Sequence, residues 1–244
     1  MTASQTPHPI VFSDFDGTIT LADVTDEILT RLADPAWRDI ERQWIAGSIG
    51  SHECLERQLA LVKTSAKDLN ALIDSIPIDP GFLEFVRFVQ RTGVPFVVLS
   101  DGLDYVIRRI LAHFGVHSRG RNGVHFYSSS ATLVRGRLAV SFPHAVAACT
   151  HGCATCKPYI MRRLIPGNWP VVYIGDGRSD RHAVAEADIV YARPALAEIC
   201  RQQRIPCKEF KTFAGIELDL AERFGGERAE GFAARSGAAP ILAE

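Results

Sequence analysis

Two carboxylates set two residues apart open the chemistry of this chain: Asp14 and Asp16 in Asp14-Phe15-Asp16-Gly17-Thr18, directly after the apolar run Pro9-Ile10-Val11-Phe12. A buried strand ending in an acidic pair and a glycine turn puts those carboxylates at the carboxyl end of a sheet, where open α/β sheets bind ligands. Like charges this close repel unless a cation lies between them and an anionic substrate. Magnesium, hard and oxygen-seeking, meets that need. Polar clusters also close two later apolar runs. Ser100-Asp101-Gly102 follows Pro95-Phe96-Val97-Val98-Leu99, and Gly175-Asp176-Gly177-Arg178-Ser179-Asp180 follows Pro170-Val171-Val172-Tyr173-Ile174. Lys157 stands before a helix, after a cysteine-bearing loop. A hydroxyl, an ammonium and N–H groups at glycine turns suit phosphoryl oxygens, because phosphoryl transfer is catalysed mainly by positioning and charge neutralisation.

The elements that position these residues follow a βα rhythm with one interruption. From Asp23 to about Ile76 the apolar residues Ile28, Leu29 and Leu32, then Trp37, Ile40 and Trp44, then Leu55, Leu59 and Val62 recur at helical steps with no strand between. Ser65-Ala66-Lys67-Asp68 has the form of a capping box. An all-helical segment of this length is too long for a simple crossover and reads as a cap domain, with Trp37 and Trp44 as packing residues. Pro77 to Pro80 suits a linker back to the core. A helix over 81–91, the strand over 95–99 and a helix carrying Val106, Ile107, Ile110 and Leu111 follow. Residues 120–144 read as a small antiparallel excursion around Arg135-Gly136, with His144 a turn residue. Further strands are expected over 188–192 and, at an edge, 207–210.

Asp14 to Thr18 resembles motif I of the haloacid dehalogenase (HAD) superfamily; Ser100, Lys157 and the segment Gly175–Asp180 correspond to motifs II, III and IV, in order over residues 11–180. The resemblance implies an α/β fold: a Rossmann-like core with a parallel sheet, formed by 1–20 and 78–224, a small helical C1-type cap over 21–77, and a flexible tail over 225–244. It also implies a magnesium-dependent phosphomonoester hydrolase working through an aspartyl-phosphate. Asp14 would be the nucleophile, and Asp16 would protonate the leaving alkoxide and then activate water. Ser100 and Lys157 would bind the phosphoryl group. The metal set would be Asp14, Asp16 through its backbone carbonyl, Asp176 and Asp180, the last orienting a metal water or Lys157. Haloacid dehalogenases lack the second aspartate, so Asp16 disfavours dehalogenation.

The cap is similar to that of the phosphoserine phosphatase branch. There a glutamate lies nine residues after the nucleophile and an arginine sits on a cap helix; this chain has Asp23 and Gln58. The pattern is more similar to the methionine-salvage phosphatases that cleave 2-hydroxy-3-keto-5-methylthiopentenyl-1-phosphate, in Asp14 to Thr20 with Asp23, in Phe142-Pro143-His144, and in a cysteine-rich loop closing with Cys156-Lys157-Pro158. Asp23, Gln58, Asp101 and Gly102 are the expected substrate-binding residues. Asp101 stands where those relatives usually place glycine. With Asp23 it also suits a phosphorylated amine such as phosphocholine or phosphoethanolamine. Rivals of another class are a phosphotransferase using the same Asp14 intermediate and a non-catalytic phospho-ligand binder.

Composition narrows the partners to a small molecule, which the resemblance makes a phosphorylated metabolite. With 23% charged residues and a net charge of -1 there is no electrostatic footprint for nucleic acid and no polybasic segment for a membrane surface. No apolar run approaches the roughly 18 residues of a membrane span, and Met1 to Pro9 lacks the pattern of a secretory leader, so the expected address is cytoplasmic. The six cysteines do not form a disulfide scaffold and are expected reduced. Cys149, Cys153 and Cys156, with His151 between, have the ligand types for a structural zinc. Cys54, Cys200 and Cys207 read as small apolar residues. Nothing in the pattern specifies an oligomeric state.

Overall fold

The computed structural model describes residues 9–118, 120 and 123–224; the expected tail over 225–244 lies outside them. The strands β1 (Ile10–Ser13), β2 (Phe96–Leu103), β3 (His125–Val134), β4 (Arg137–Ser141), β5 (Val171–Gly175), β6 (Ile189–Ala192) and β7 (Lys208–Glu209) form one sheet in the order β4-β3-β2-β1-β5-β6-β7. All pairings are parallel except β3 with β4. Central strands of such sheets are covered on both faces and read as unbroken apolar runs. All four residues of β1 are buried accordingly. Val11, Val98, Val172 and Ile174 face one core layer, and Ile10, Phe12, Val97 and Tyr173 face the other.

Four helices, α1 (Val24–Leu32), α2 (Trp37–Ile45), α3 (Ser51–Leu59) and α4 (Ala66–Asp74), separate β1 from α5 (Phe82–Thr92). Asp23 caps α1, accepting from the Asp26 N–H at 2.9 Å, and the Ser65 hydroxyl accepts from the Asp68 N–H at 3.1 Å. The segment leaves and re-enters the core at one place. Thr20 and Ile78 form an antiparallel bridge, and the Leu21 N–H donates to the Pro77 carbonyl at 3.0 Å. Fully buried Asp79 secures the return by accepting from the Gly81 and Phe213 N–H groups and pairing with Arg193 at 3.2 Å. On the far flank, Arg109 of α6 (Asp104–His113) binds Asp74 of α4 through two nitrogens at 2.6 and 2.7 Å. The remaining helices α7 (Lys157–Leu164), α8 (Pro194–Gln203) and α9 (Phe213–Phe224) cover the two faces of the sheet, α9 on the same side as α5 and the other two opposite.

Two strand boundaries differ from the sequence expectation. β2 continues through Ser100, Asp101 and Gly102 to Leu103, with a register shift after Leu99. β3 is one strand where the pattern suggested separate pieces. Its Ser128 and Ser129 are buried, and their hydroxyls donate to the carbonyls of Ser129 and Asp101 at 3.1 and 2.9 Å, so polar residues sit mid-strand without an unpaired group. The first half of β3 runs parallel to β2. Its second half pairs antiparallel with β4 across Arg135-Gly136, both at positive φ, as a two-residue I′ hairpin requires. The edge strand β7 is only two residues long. Among the described residues no helix is long and apolar enough to cross a membrane.

Candidate active site

Adjacent parallel strands end side by side, so β1, β2 and β5 deliver Asp14, Ser100 and Asp176 to one edge of the sheet. The Asp14 N–H extends the ladder to the Ile174 carbonyl at 2.8 Å, which holds the residue just past β1. Lys157, the first residue of α7 and 1% exposed, reaches under this edge. Its Nζ lies 3.0 Å from Asp14 Oδ1, 2.7 Å from Asp180 Oδ1 and 3.2 Å from Ser179 Oγ. Asp180 is wholly enclosed. It also accepts from the Tyr173 hydroxyl at 2.6 Å and from the N–H groups of Asp176 and Gly177 at 3.0 and 3.3 Å. Ser179 donates to Asp14 Oδ2 at 3.3 Å, and Ser100 Oγ accepts from the Gly102 N–H at 2.9 Å.

Glycine is required at three positions here, among them Gly175, where a Cβ would lie 2.3 Å from Asp180 Oδ2. Gly17 has φ +69°, and a Cβ there would lie 2.5 Å from Asp176 Oδ2; a Cβ on Gly102 would lie 2.4 Å from Asp16 Oδ2. All three glycines therefore let backbone approach a carboxylate.

The electrostatics describe an excess of negative charge. Burial, and then Asp180, push the Asp14 carboxyl well up despite Lys157. Burial, then Asp23, do the same to Asp16, whose Oδ1 is buried without a partner. Burial and Asp180 lift Asp176 to about 7. For Lys157, burial opposes its charge, but Asp14 and Asp180 outweigh it and hold its pKa well above the ordinary value. Carboxylate oxygens of Asp14, Asp176 and Asp180 all lie within 4.8 Å of one another. Clustered hard oxygen donors with more charge than one lysine balances fit a magnesium ion. The Asp16 carboxylate lies outside that cluster.

Above this edge is a cavity of about 240 Å³. The expected substrate-binding residues Asp23, Gln58, Asp101 and Gly102 all line it. Gln58 is nevertheless engaged, donating to Glu41 Oε2 at 2.9 Å and to the Trp37 carbonyl at 3.4 Å. Asp101 accepts from the Thr155 N–H at 2.8 Å and binds the Ser51 hydroxyl, so it links β2 to the cysteine loop and to α3. Burial and then Asp26 raise Asp23 to about 6.

Several lining residues escaped the sequence reading. Asp26 sits one turn beyond Asp23, a signal within reach, whereas Glu41 belongs to no motif. Trp44, expected to pack, lines the cavity, and Arg178 lies over its ring at 5.8 Å, whereas Trp37 is 7% exposed and packs as expected. Two turns along α2 carry Trp44 past the end of the core that covers Trp37. Tyr173 carried a signal too, since a buried tyrosine hydroxyl needs a partner. The three-thiol expectation also shifts. The compact set is Cys149, His151 and Cys153, with Cys156 outside it. Cys54 and Cys200 are buried, as small apolar residues would be, while Cys207 is half-buried.

A donor-rich acidic site at the carboxyl edge of a parallel sheet defines a phosphoryl-handling α/β enzyme. Residues 11–185 match the family model described as haloacid dehalogenase-like hydrolase. A curated relative from Bacillus pumilus (strain SAFR-032), 2-hydroxy-3-keto-5-methylthiopentenyl-1-phosphate phosphatase, is 32% identical over 219 residues, 88% of this chain and 90% of its own. The enzyme of the same name from Geobacillus thermodenitrificans (strain NG80-2) is 31% identical over 85% of this chain and 93% of its own. Among solved structures, a phospho-aspartyl intermediate analogue of phosphoserine phosphatase superposes with a TM-score of 0.66 at 17% identity, covering 89% of this chain and 98% of that one. The chain belongs to the haloacid dehalogenase-like hydrolase family, and its enzyme class is that of a phosphatase, a phosphoric monoester hydrolase.

Proposed function

We propose that the chain hydrolyses 2-hydroxy-3-keto-5-methylthiopentenyl-1-phosphate through a phosphorylated Asp14. The observation that carries the substrate is the agreement of relatives about 30% identical over most of both chains. The mechanism follows from the site. The Asp14 carboxylate attacks phosphorus, while Asp16, whose carboxyl burial and Asp23 push well up, gives its proton to the leaving alkoxide. Asp16 then takes a proton from water, which attacks the phosphoryl group and restores Asp14. Lys157 holds the nucleophile at 3.0 Å and neutralises phosphoryl oxygens; Ser100 adds a donor. Asp180, bound on every side, fixes Lys157. Asp14 and Asp176, with the Asp16 backbone carbonyl, would hold magnesium in front of Asp180; when bound, the ion would neutralise phosphoryl charge and let the carboxylates ionise together.

In this reading residues 21–77 are the cap over a core of 1–20 and 78–224, and α1, α2 and α3 read the organic part of the substrate. A second reading, a phosphorylated amine, draws on the cavity itself. Asp23, Asp26, Glu41 and Asp101 line it beyond the reacting carboxylates. Measuring kcat/KM with magnesium for the salvage intermediate, phosphoserine, phosphocholine and phosphoethanolamine tests both. The salvage intermediate is expected to lead; a lead by either amine reverses the order of the readings. Phosphate release without an added acceptor excludes an obligatory phosphotransferase.

A further inference from the structure

The loop between β4 and α7 has no helix or strand from Phe142 to Cys156, yet it is tied to three parts of the site. The Gly152 carbonyl accepts from the His52 N–H at 3.0 Å, and the Ala154 N–H donates to Ser51 Oγ at 3.0 Å; both partners lie on α3. Its fit against the insert is close, since a Cβ on Gly50 would lie 2.3 Å from the Gly152 carbonyl oxygen. The Thr155 N–H donates to Asp101, and two residues later the chain reaches Lys157. Within a few residues the loop thus touches the helical insert, the end of β2 and the lysine that pairs with Asp14. Irregular backbone with few buried side chains needs some other constraint to hold such a position.

The side chains supply one. Cys149, His151 and Cys153 each place a ligand atom within 4.8 Å of the others'. Gly152, at φ +60°, turns the chain between His151 and Cys153. The His151 ring is held by stacking on His182, with centroids 3.6 Å apart and planes 21° from parallel.

We propose that this loop is a structural zinc site, with Cys149, His151 and Cys153 as ligands and Cys156, three residues beyond Cys153, closing on the set as the fourth. Three sulfurs and one imidazole form a closed tetrahedral set of the kind that binds zinc structurally, and the soft donors separate it from the oxygen-only magnesium cluster. Zinc displaces the thiol protons and ties together the two ends of a segment that otherwise rests on a few backbone hydrogen bonds. It stands apart from the phosphatase chemistry and serves it by fixing the approach to Lys157.

Zinc content and cobalt spectra of the purified full chain test the proposal. The protein should hold about one zinc per chain, and the apoprotein reconstituted with cobalt(II) in excess magnesium should show thiolate-to-cobalt charge transfer and intense tetrahedral visible bands. Cys149→Ser and Cys153→Ser should lose both, and Cys200→Ser should keep both. Should the serine variants fold poorly, mercurial release of zinc from the wild-type chain with a chromogenic chelator reads the same site. Absence of zinc together with absence of a thiolate-to-cobalt band overturns the proposal, as does zinc that stays bound in Cys149→Ser. A disulfide among these cysteines that leaves no cobalt band after reduction also overturns it.

Discussion

The floor and the roof of the cavity are both acidic, but they manage charge in opposite ways. On the floor, Asp14 and Asp180 share the buried Lys157; Asp14 sits just beyond β1, and the N–H groups of Asp176 and Gly177, past the end of β5, hold Asp180. On the roof, Asp26 and Glu41 project from α1 and α2. Among the described residues neither forms an ion pair, and burial followed by Glu41 raises Asp26. Charge placed by the sheet is held by a buried lysine and by backbone donors; charge placed by these helical side chains has no ion-pair partner among the described residues. In the proposed function the chemistry belongs to the first kind and discrimination among substrates to the second.

Changes on the floor should remove turnover and changes on the roof should shift specificity. Asp14→Asn is expected to lower kcat by about 10⁴-fold or more with the fold retained by circular dichroism; equal turnover would end the aspartyl-phosphate mechanism. Chelation of divalent ions should cost about 10³-fold, several kcal/mol of charge stabilisation, and added magnesium should restore it. Lys157→Met should lower kcat by about 10²- to 10³-fold and lower the unfolding midpoint, because Asp14 and Asp180 are left buried without their cation.

On the roof, Glu41→Gln should change KM by about tenfold with kcat little altered, as removal of uniform binding does. Its sign decides between the two substrate readings: KM falls for a substrate with a neutral organic part and rises for an amine. The smallest effect tests the charge rule away from the cavity. Burial would raise Asp219, but hydrogen bonds from Lys208, Tyr191 and Arg223 outweigh it and bring the carboxyl down to about 2, where Asp176 stands at about 7. The folded state therefore favours the Asp219 carboxylate. Its contribution is complete above the unfolded pKa of about 4 and is lost as pH falls towards 2. Asp219→Asn should be slightly less stable at neutral pH, with an unfolding midpoint that falls less steeply over that acid window.

The floor was legible because its residues sit at fixed offsets from apolar runs. Asp14 and Asp176 follow directly on β1 and β5. The roof was legible only as helices. Asp23 could be named from the family resemblance, which puts an acidic residue nine positions after Asp14, but Glu41 joins the wall because α2 and α3 pack together and Gln58 holds its carboxylate. Asp101, an anomaly in the sequence, becomes intelligible as the acceptor for Thr155 and a link to Ser51.

By itself the sequence determined the order of strands and helices, the acidic pair after the first strand, and the identity of the residues at the later strand ends. Periodicity and turn chemistry are local, and local pattern suffices for these. Only the tertiary structure decided that Lys157 lies between Asp14 and Asp180, that Trp44 leaves the core for the cavity, and that His151 joins Cys149 and Cys153. Those pairings unite residues on different elements or across an irregular loop, and their distances depend on how the elements pack.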